Sequence, residues 1–321
     1  MSPCPVCNST AVRIRWTGLG DRSFATTAEL FDLAQCDDCG SRFLADIPPL
    51  EELGRYYPDD YWAGPTDQAT HKQAQGGLLE AYRRFVLRDH VRFCGNVLKA
   101  QRARGVAVRV LDVGCGDGSF LEALGEKNAI GMDLGMAAVW AVRARGFRAV
   151  RGTLSDCPLA DGSFSMVTAF HFLEHVHPVG PILEAAKRLL AKDGEVVFQV
   201  PNAASWQAKL LGRRWHGFDV PRHLIDYTAA TFRRTLEKHG FQVVAENQQC
   251  LRDNPTTFAT SVAPRLFPPS RLARGGKAEG LGATVANLTY LALTVAAMPF
   301  TWFEAACGRG ASVMVHARPR R

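Results

Sequence analysis

The sequence contains few cysteines and begins without an apolar leader. Nine cysteines in 321 residues are too few for a disulfide scaffold, which excludes the small secreted classes that depend on one. The first ten residues, MSPCPVCNST, contain neither a basic region nor an apolar run. We therefore expect no secretory signal and a cytoplasmic location.

Acidic residues are outnumbered by basic ones, 31 against 38, so the net charge is +7 and the isoelectric point is near 9.0. A positive charge favours anionic neighbours such as a membrane surface, a phosphorylated substrate or nucleic acid. A hydrophobic content of 47% with 21% charged residues is typical of a soluble globular protein. The length suits one large domain with an accessory module.

Four of the cysteines form two matched pairs near the N-terminus. Cys4 and Cys7 stand in CPVC, and Cys36 and Cys39 stand in CDDCG. Two intervening residues let both thiolates of a pair reach one metal from a tight turn, so the two pairs predict a tetrahedral four-thiolate zinc site. Because sulfur fills all four positions, we expect this zinc to be structural, within a small zinc ribbon.

Strand and helix patterns alternate through the middle of the chain. This alternation predicts right-handed crossovers and a parallel sheet. We expect strands at residues 108–113, 129–133, 147–151, 164–170 and 195–200, and helices at 119–127, 137–145 and 181–191.

Three glycines follow the first of these strands at every second position: Gly114, Gly116 and Gly118. A dinucleotide fingerprint needs its third glycine one place later, where this chain has Ser119. Asp112, at the end of the strand, would repel a pyrophosphate but suits a ligand that carries an ammonium group. Asp133 ends the next strand, where it can accept hydrogen bonds from ribose hydroxyls. A ribose and an amino acid without phosphate describe S-adenosylmethionine.

The order of several motifs resembles class I S-adenosylmethionine-dependent methyltransferases. These motifs are VLDVGCGDGSF, IGMD, DGSFSMVTAFHFLEHVHP, LLAKDGEVVFQVPN and PRHLIDYTAATFRRTLEKHGF. The last of these motifs resembles a subgroup found in bacterial surface-polysaccharide and natural-product clusters. That subgroup often carries an N-terminal cysteine-pair module followed by P…YY…YW, as this chain does. The resemblance covers about residues 1–250 and 311–319. It implies an α/β fold, with a Rossmann-like seven-stranded sheet that has helices on both faces and is preceded by the zinc ribbon.

The same resemblance assigns cofactor contacts residue by residue. The loop after the first strand would line the methionine part of the cofactor, and Asp133 would bind the ribose. Residues 153–155 would pass over the adenine, and residues 169–172 would close the methionine side. The cofactor-binding residues implied in this way are Asp112, Gly114, Cys115, Gly116, Gly118, Asp133, Thr153, Leu154, Ala169, Phe170 and His171.

Methyl transfer to oxygen needs a general base as well as in-line positioning of the reactants. Histidine is the commonest base, and the candidates are His175 and His223, with His223 preferred because its segment faces substrate in related folds. Arg222 is a candidate for pairing with a phosphate or carboxylate of the substrate, with His216 beside it and Trp215 as the floor for a sugar. Each of these residues also has a purely structural interpretation. His175 could stabilise its own loop, Arg222 could lie in a solvated basic loop, and Trp215 could pack in the core.

A long insertion separates the last two expected strands, FQVVAENQQ and ASVMVHARP, which pair antiparallel in this fold. Its first half, PRLFPPSRLARGGK, is basic, and residues 280–303 contain no charged side chain. A single membrane crossing would separate two strands that share a sheet. We therefore expect residues 264–304 to form a lid or an interfacial element that contacts a membrane, and equally weigh an insert that buries its own apolar face.

These patterns divide the chain into four parts. A zinc-ribbon-like module is expected at residues 1–46 and a linker with N-terminal helices at 47–105. The methyltransferase domain is expected at 106–250 and 311–321, and the apolar and basic insertion at 251–310.

The leading functional hypothesis is a methyltransferase that uses S-adenosylmethionine, carries a structural zinc, and acts on a hydroxyl of a sugar, lipid-linked saccharide or related metabolite. An RNA methyltransferase is the second hypothesis, because zinc ribbons also precede this fold in enzymes that modify ribosomal RNA. The ribbon lacks a basic and aromatic cluster, and VPNA replaces the tetrapeptide of base-nitrogen methylation, so nucleic acid is disfavoured. A non-catalytic interaction protein is the third, against which Asp112, Asp133 and the glycines argue.

Overall fold

A computed structural model of the chain describes residues 2–57, 77–274 and 280–320. Residues 58–76 of the predicted linker with N-terminal helices and residues 275–277 of the basic segment lie outside these ranges.

The described residues form two sheets and helices of very different length. The strands are β1 (Val12–Gly20), β2 (Leu30–Cys36), β3 (Arg42–Leu44), β4 (Val110–Val113), β5 (Ile130–Asp133), β6 (Arg148–Arg151), β7 (Phe164–Phe170), β8 (Leu190–Pro201), β9 (Ile225–Asp226), β10 (Phe241–Asn247) and β11 (Ser312–Pro319). The α-helices are α1 (Leu50–Leu53), α2 (Gly77–Ala103), α3 (Ser119–Leu124), α4 (Met136–Ala144), α5 (Gly180–Leu189), α6 (Trp206–Leu211), α7 (Ala229–Lys238), α8 (Asp253–Val262), α9 (Pro268–Ala273) and α10 (Leu281–Ala306). Single turns of 3-10 helix lie at Gly54–Tyr56, Leu173–His175, Gly212–Arg214, His216–Phe218 and Pro264–Leu266.

The larger sheet has seven strands in the order β10-β11-β8-β7-β4-β5-β6. The five strands from β4 to β8 pair in parallel, and β11 pairs antiparallel with both β8 and β10. The predicted α/β fold with a Rossmann-like seven-stranded sheet is therefore confirmed. Its strands match the expected segments to within a few residues, except that β8 begins at Leu190 and shortens the preceding helix.

Both faces of this sheet are buried, as the continuous apolar sequences of β4 and β7 require. Neighbouring residues on a strand point to opposite faces, so Val110 and Leu111 belong to different hydrophobic clusters. Helices α2, α3 and α4 contribute side chains to the cluster of Val110, and helices α5 and α7 contribute side chains to the cluster of Leu111.

The order of the sheet reverses at β4, which lies between β5 and β7. Parallel strands on the two sides of such a point leave a crevice at their carboxyl ends, where ligands of open α/β sheets bind. The predicted cofactor residues follow these strand ends.

The smaller sheet has the order β1-β2-β3-β9 and joins two distant parts of the sequence. Strand β3 pairs with β9 through Arg42 opposite Asp226 and Phe43 opposite Ile225. The cysteine-containing module therefore shares a sheet with residues that follow β8, and this places it beside His223.

The insertion between β10 and β11 folds into helices α8, α9 and α10. Helix α10 packs on α8, where the Tyr290 hydroxyl lies 2.8 Å from the Thr260 hydroxyl. By length and composition alone α10 could cross a membrane, and only 17% of its most apolar window is buried.

Candidate functional site

A cavity of about 440 Å³ opens at the carboxyl ends of β4 and β7. Its inner wall includes Asp112, His171 and the loop that follows β4. Its outer wall includes Phe24 from the N-terminal module and Thr256 from α8. Three distant parts of the chain therefore enclose one volume.

Asp112 is buried near the end of β4, with 3% of its surface exposed. Its carboxylate accepts a 2.7 Å hydrogen bond from the Thr168 hydroxyl on β7. Burial raises the pKa of Asp112 to about 7, although Thr168 and the positive charge of Arg252 lower it. A buried carboxylate of this kind is suited to a cationic ligand, because an ammonium group would compensate its charge.

The loop after β4 depends on Gly114 and Gly116, whose φ angles are +68° and +51°. Glycine adopts this left-handed region without steric cost. A Cβ atom at Gly114 would also lie 3.3 Å from the ring of Phe172. The Gly116 N–H donates a 3.2 Å hydrogen bond to Asp133 on β5, which holds the loop across two strand ends.

Asp133 is 6% exposed and lies just beside the cavity lining. Its other carboxylate oxygen accepts a 2.8 Å hydrogen bond from the Gly135 N–H. Burial raises the pKa of Asp133, and the backbone hydrogen bonds partly oppose this. Each carboxylate oxygen has two acceptor positions, so Asp133 can still accept hydrogen bonds from ribose hydroxyls.

The other predicted cofactor residues divide between the cavity and the core. Cys115, Phe170 and His171 line the cavity. The side chains of Leu154 and Ala169 are each 1% exposed and belong to the hydrophobic core, so any contact with a cofactor would come from their backbone.

Two predicted contacts lie elsewhere. Gly118 caps the start of α3 with a φ of +76° and stays outside the cavity lining. The Thr153 hydroxyl forms a 3.2 Å hydrogen bond with Asp156.

The two candidate bases, His175 and His223, lie together in the cavity wall with their ring centroids 4.7 Å apart. Nδ1 of His175 is 3.0 Å from the Arg222 carbonyl oxygen, and Nδ1 of His223 is 2.8 Å from the Gly217 carbonyl oxygen. A carbonyl oxygen only accepts hydrogen bonds, so each Nδ1 carries the proton in the neutral ring. Each Nε2 therefore has a lone pair.

Both imidazoles are neutral near pH 7. Burial lowers the pKa of His223, and burial with repulsion from His223 lowers the pKa of His175 to about 4. Nε2 of His223 lies 3.9 Å from the carboxylate of Glu174. If His223 takes up a proton, Glu174 can stabilise the resulting imidazolium.

His171 differs from these two because it lies between two carboxylates. Its Nδ1 is 3.1 Å from Glu174 and its Nε2 is 3.1 Å from Asp253. Burial alone would lower the pKa of His171, but these carboxylates raise it to about 9. His171 is therefore a cation in the cavity wall, and it holds the pKa of Glu174 below its usual value against the effect of burial.

The structure contradicts the prediction that Arg222 binds a substrate anion. Its guanidinium has no exposed surface and pairs with Asp21 at 2.7 Å and with Asp219 at 2.9 Å. With its donors engaged by two carboxylates and the Tyr56 carbonyl, Arg222 has none directed at the cavity. Spacing alone could not reveal Asp21, which is 201 residues away.

Trp215 is also not a substrate platform, because it is 2% exposed and packs on Phe218 in the core with ring centroids 4.9 Å apart. His216, the third predicted substrate residue, does line the cavity. Its Nδ1 lies 3.3 Å from the Ser23 hydroxyl.

The four N-terminal cysteines converge on one point, with their sulfurs all within 4.8 Å of one another. The Cys4 and Cys39 sulfurs are 3.6 Å apart, as are those of Cys7 and Cys36. Four sulfurs bound to zinc at 2.3 Å would lie about 3.8 Å apart, so the donor set and its spacing suit that ion.

The site also contains several residues to which the sequence motifs assign no role. The Tyr57 hydroxyl lies 3.0 Å from Nδ1 of His175, yet its place in the YY motif gave no role. Asp253 and Thr256 belong to the insertion, for which the sequence predicts a lid or a membrane contact and no specific site residue. No local pattern links these residues to the glycine loop, since only the folded chain brings them together.

Comparison with known proteins shows that the chain is similar to methyltransferases. A family model described as a methyltransferase domain matches residues 78–246. A probable S-adenosylmethionine-dependent methyltransferase from Mycolicibacterium smegmatis is 30% identical over 141 residues, which cover 42% of this chain and 52% of that protein. A ubiquinone biosynthesis O-methyltransferase from Cronobacter sakazakii is 29% identical over 181 residues, which cover 51% of this chain and 74% of that protein. The match to the first of these relatives thus spans about half of its length.

Among solved structures, a SAM-dependent methyltransferase from Archaeoglobus fulgidus has a TM-score of 0.46 and 19% sequence identity. The comparison covers 73% of this chain and 93% of the other.

Proposed function

The chain belongs to the methyltransferase-domain family, and we propose that it transfers the methyl group of S-adenosylmethionine to a hydroxyl group of a small molecule. The observation that carries this proposal is the shared cavity of Asp112 and the two neutral histidines, His175 and His223. A cofactor site and a general base thus face the same volume.

The residues fit the cofactor as the sequence predicts. The buried Asp112 carboxylate suits the ammonium group, and Asp133 suits the ribose hydroxyls. When bound, S-adenosylmethionine supplies an electrophilic methyl group on a sulfonium. The chain itself supplies orientation and exclusion of water, through the narrow loop at Gly114 and Gly116 and the outer wall from α8.

We assign His223 as the general base and Glu174 as the group that stabilises its protonated form. The Gly217 carbonyl fixes the tautomer, so Nε2 of His223 is the atom that accepts the proton of the acceptor hydroxyl. Glu174 remains ionised because of His171, and lies 3.9 Å from that nitrogen. A positioned base of this kind contributes about 10²–10⁴-fold to the rate.

A hydroxyl on a sugar, a lipid-linked saccharide or a related metabolite is the proposed acceptor. The outer wall of the cavity includes Thr256, Thr257, Thr260 and Phe267, a mixture of polar and apolar residues that suits a polar substrate with an apolar part. We also propose a structural zinc held by Cys4, Cys7, Cys36 and Cys39, with no open position for catalysis.

Transfer of a labelled methyl group tests the proposal. The protein is incubated with labelled S-adenosylmethionine and separate small-molecule, lipid and RNA fractions of a bacterial extract. Label should enter the small-molecule or lipid fraction as an alkali-stable ether, and His223→Gln should lower the rate of labelling by about 10²–10⁴-fold while cofactor binding persists. Label only in RNA would favour the RNA methyltransferase alternative, and binding without transfer would favour a non-catalytic role.

A further inference from the structure

Helix α10 presents an apolar face that no described residue covers. Its most exposed large side chains are Leu281, Val285, Leu288, Val295 and Phe303, each between 52% and 83% exposed. They recur at intervals of three, four, seven and eight residues, so they share one side of the helix. No residue from 280 to 303 is charged.

The opposite side of α10 packs on the protein. Ala283, Thr294, Ala297, Thr301 and Glu304 are buried, and they follow the complementary helical stripe. The Glu304 carboxylate accepts a 2.7 Å hydrogen bond from the Gln207 N–H at the start of α6. The helix is therefore fixed on the domain along its length, with its apolar face directed outwards.

A group of arginines lies beside this helix. Arg271 donates a 3.0 Å hydrogen bond to Asn287 on α10, and Arg274 donates one of 2.8 Å to the Arg22 carbonyl. Arg22 in turn shares a small surface cavity with Arg213 and Arg214.

Asp219 lines the same small cavity as Arg22, Arg213 and Arg214, but its carboxylate is paired with Arg222. Arg22 donates to the carbonyls of Arg214 and Ser261, and Arg213 donates to the carbonyls of Thr17 and Gly18. Burial and the charges of Arg214 and Arg213 lower the pKa of Arg22, as expected where like charges are crowded.

We propose that the exposed face of α10 and this arginine group dock the protein on the surface of an anionic lipid bilayer. The apolar face would enter the region between headgroups and acyl chains, and the arginines would pair with lipid phosphates. Charge complementarity selects this occupant, because the arginines need anions and the helix face needs an apolar phase. A bilayer of anionic lipid offers both at one surface.

The helix lies along the bilayer surface and does not cross it. Strands β10 and β11 flank the insertion and pair directly, with Asn247 opposite Met314. Both ends of the insertion therefore lie on the same side of a membrane.

Docking would also bring the membrane close to the active site. Phe267, Pro269 and three threonines of α8 line the cavity, and the Phe267 ring lies 5.9 Å from the Tyr290 ring on α10. The same insertion thus provides both the membrane face and the outer cavity wall. Resting on the proposed function, this favours an acceptor that carries a lipid chain and is reached from the bilayer surface.

Sedimentation with vesicles tests the docking without reference to catalysis. The full chain is mixed with phosphatidylglycerol vesicles or with phosphatidylcholine vesicles, at low and at high salt. We expect binding to phosphatidylglycerol that weakens but persists at high salt, because salt screens the arginines and leaves apolar burial in place. Binding to phosphatidylcholine should be weaker than binding to phosphatidylglycerol at low salt and should depend little on salt, because only apolar burial contributes to it.

Matched variants separate the two contributions. Leu288→Glu with Val295→Glu places charge on the exposed face and should abolish binding, whereas Val244→Glu, at an equally exposed position on β10, should not. Arg22→Gln with Arg274→Gln should weaken binding about 30-fold, at roughly fivefold for each arginine. Arg148→Gln with Arg234→Gln, two exposed arginines elsewhere, should have little effect.

Three outcomes would overturn the proposal: no vesicle binding by the natural chain, equal loss in the control variants, or a lipid-free dimer that Leu288→Glu dissociates in place of vesicle binding. The last would identify a second copy of the chain as the occupant. Cofactor affinity, measured on the same variants, should not change. If the natural chain did not bind S-adenosylmethionine, this would count against the proposed function but would not affect the docking result.

Discussion

The carboxylate of Asp21 lies 2.7 Å from the guanidinium of Arg222, and neither side chain has exposed surface. Asp219 pairs with the other side of the same guanidinium and also accepts a hydrogen bond from the Ser23 hydroxyl. Since His223 follows Arg222 directly, this buried group ties the N-terminal module to the proposed base. The module therefore acts as part of the active-site framework.

Removing one partner of this pair should destabilise the protein strongly. Asp21→Ala leaves a buried guanidinium with an incomplete set of acceptors, and we expect the free energy of unfolding to fall by about 3–5 kcal/mol. Denaturant titration measures this. Asp37→Ala, which breaks the exposed pair with Arg13, is the control and should cost no more than about 1 kcal/mol. Equal costs would contradict the buried role.

The same pair should position His223 for catalysis. Arg222→Lys keeps the charge but loses the planar fork that contacts both carboxylates, so we expect a lower kcat with an unchanged affinity for S-adenosylmethionine. The comparison of kcat and cofactor Kd measures this on folded protein. A parallel loss of both constants would indicate general disruption of the cavity.

Substitution of the proposed base should affect transfer and spare cofactor binding. His223→Gln should lower kcat by about 10²–10⁴-fold, because no other group takes the proton at that position. His175→Gln should have a smaller effect, since the pKa of His175, about 4, makes it a weaker base. Steady-state kinetics with calorimetric cofactor titration test both variants. A larger loss in His175→Gln would reverse the assignment.

The affinity for S-adenosylmethionine should depend on the ionisation of Asp112. Burial raises the pKa of this carboxyl to about 7 in the free protein, and only the ionised form attracts the ammonium group. The affinity should therefore be full above pH 7 and fall by up to about tenfold for each pH unit below it. Calorimetry from pH 5 to 8 measures the profile.

Two controls isolate this effect. Methylthioadenosine lacks the amino acid moiety, so its affinity should not follow the same profile. Asp112→Asn should bind S-adenosylmethionine weakly at every pH. A pH profile shared by both ligands would assign the titration to another group.

Loss of the proposed zinc should weaken the segment around His223 as well as the N-terminal module. Cys36→Ser should lower both bound zinc and Tm, because β2 and β3 connect the metal site to β9 and so to His223. Metal analysis, thermal melting and kcat together test this. Cys307→Ser, at an exposed cysteine immediately after α10, should leave all three unchanged. If a zinc-free protein had an unchanged kcat, the N-terminal module would not contribute to catalysis.

Local patterns predicted much of the catalytic half of this molecule. The alternation of strands and helices predicted the sheet, Ser119 disfavoured a dinucleotide, and Asp112 with Asp133 indicated a ligand that carries an ammonium group and a ribose. These features depend on neighbouring residues, whose spacing fixes how they share a strand or a turn. The prediction for Arg222 was wrong because its partner is distant in the sequence. The residues around Arg222 indicate a basic loop, whereas the structure pairs its buried guanidinium with Asp21.

The sequence by itself determined the parallel sheet, the loop at Gly114 and Gly116, the two cysteine pairs and the uncharged length of α10. Only the tertiary structure decided that β3 pairs with β9, that the insertion forms the outer wall of the cavity, and that His171 is charged while His223 is neutral. Charge states and cavity walls depend on burial and on partners far away in the chain. These become defined only when the chain is packed, whereas strand and turn preferences are already present in short segments.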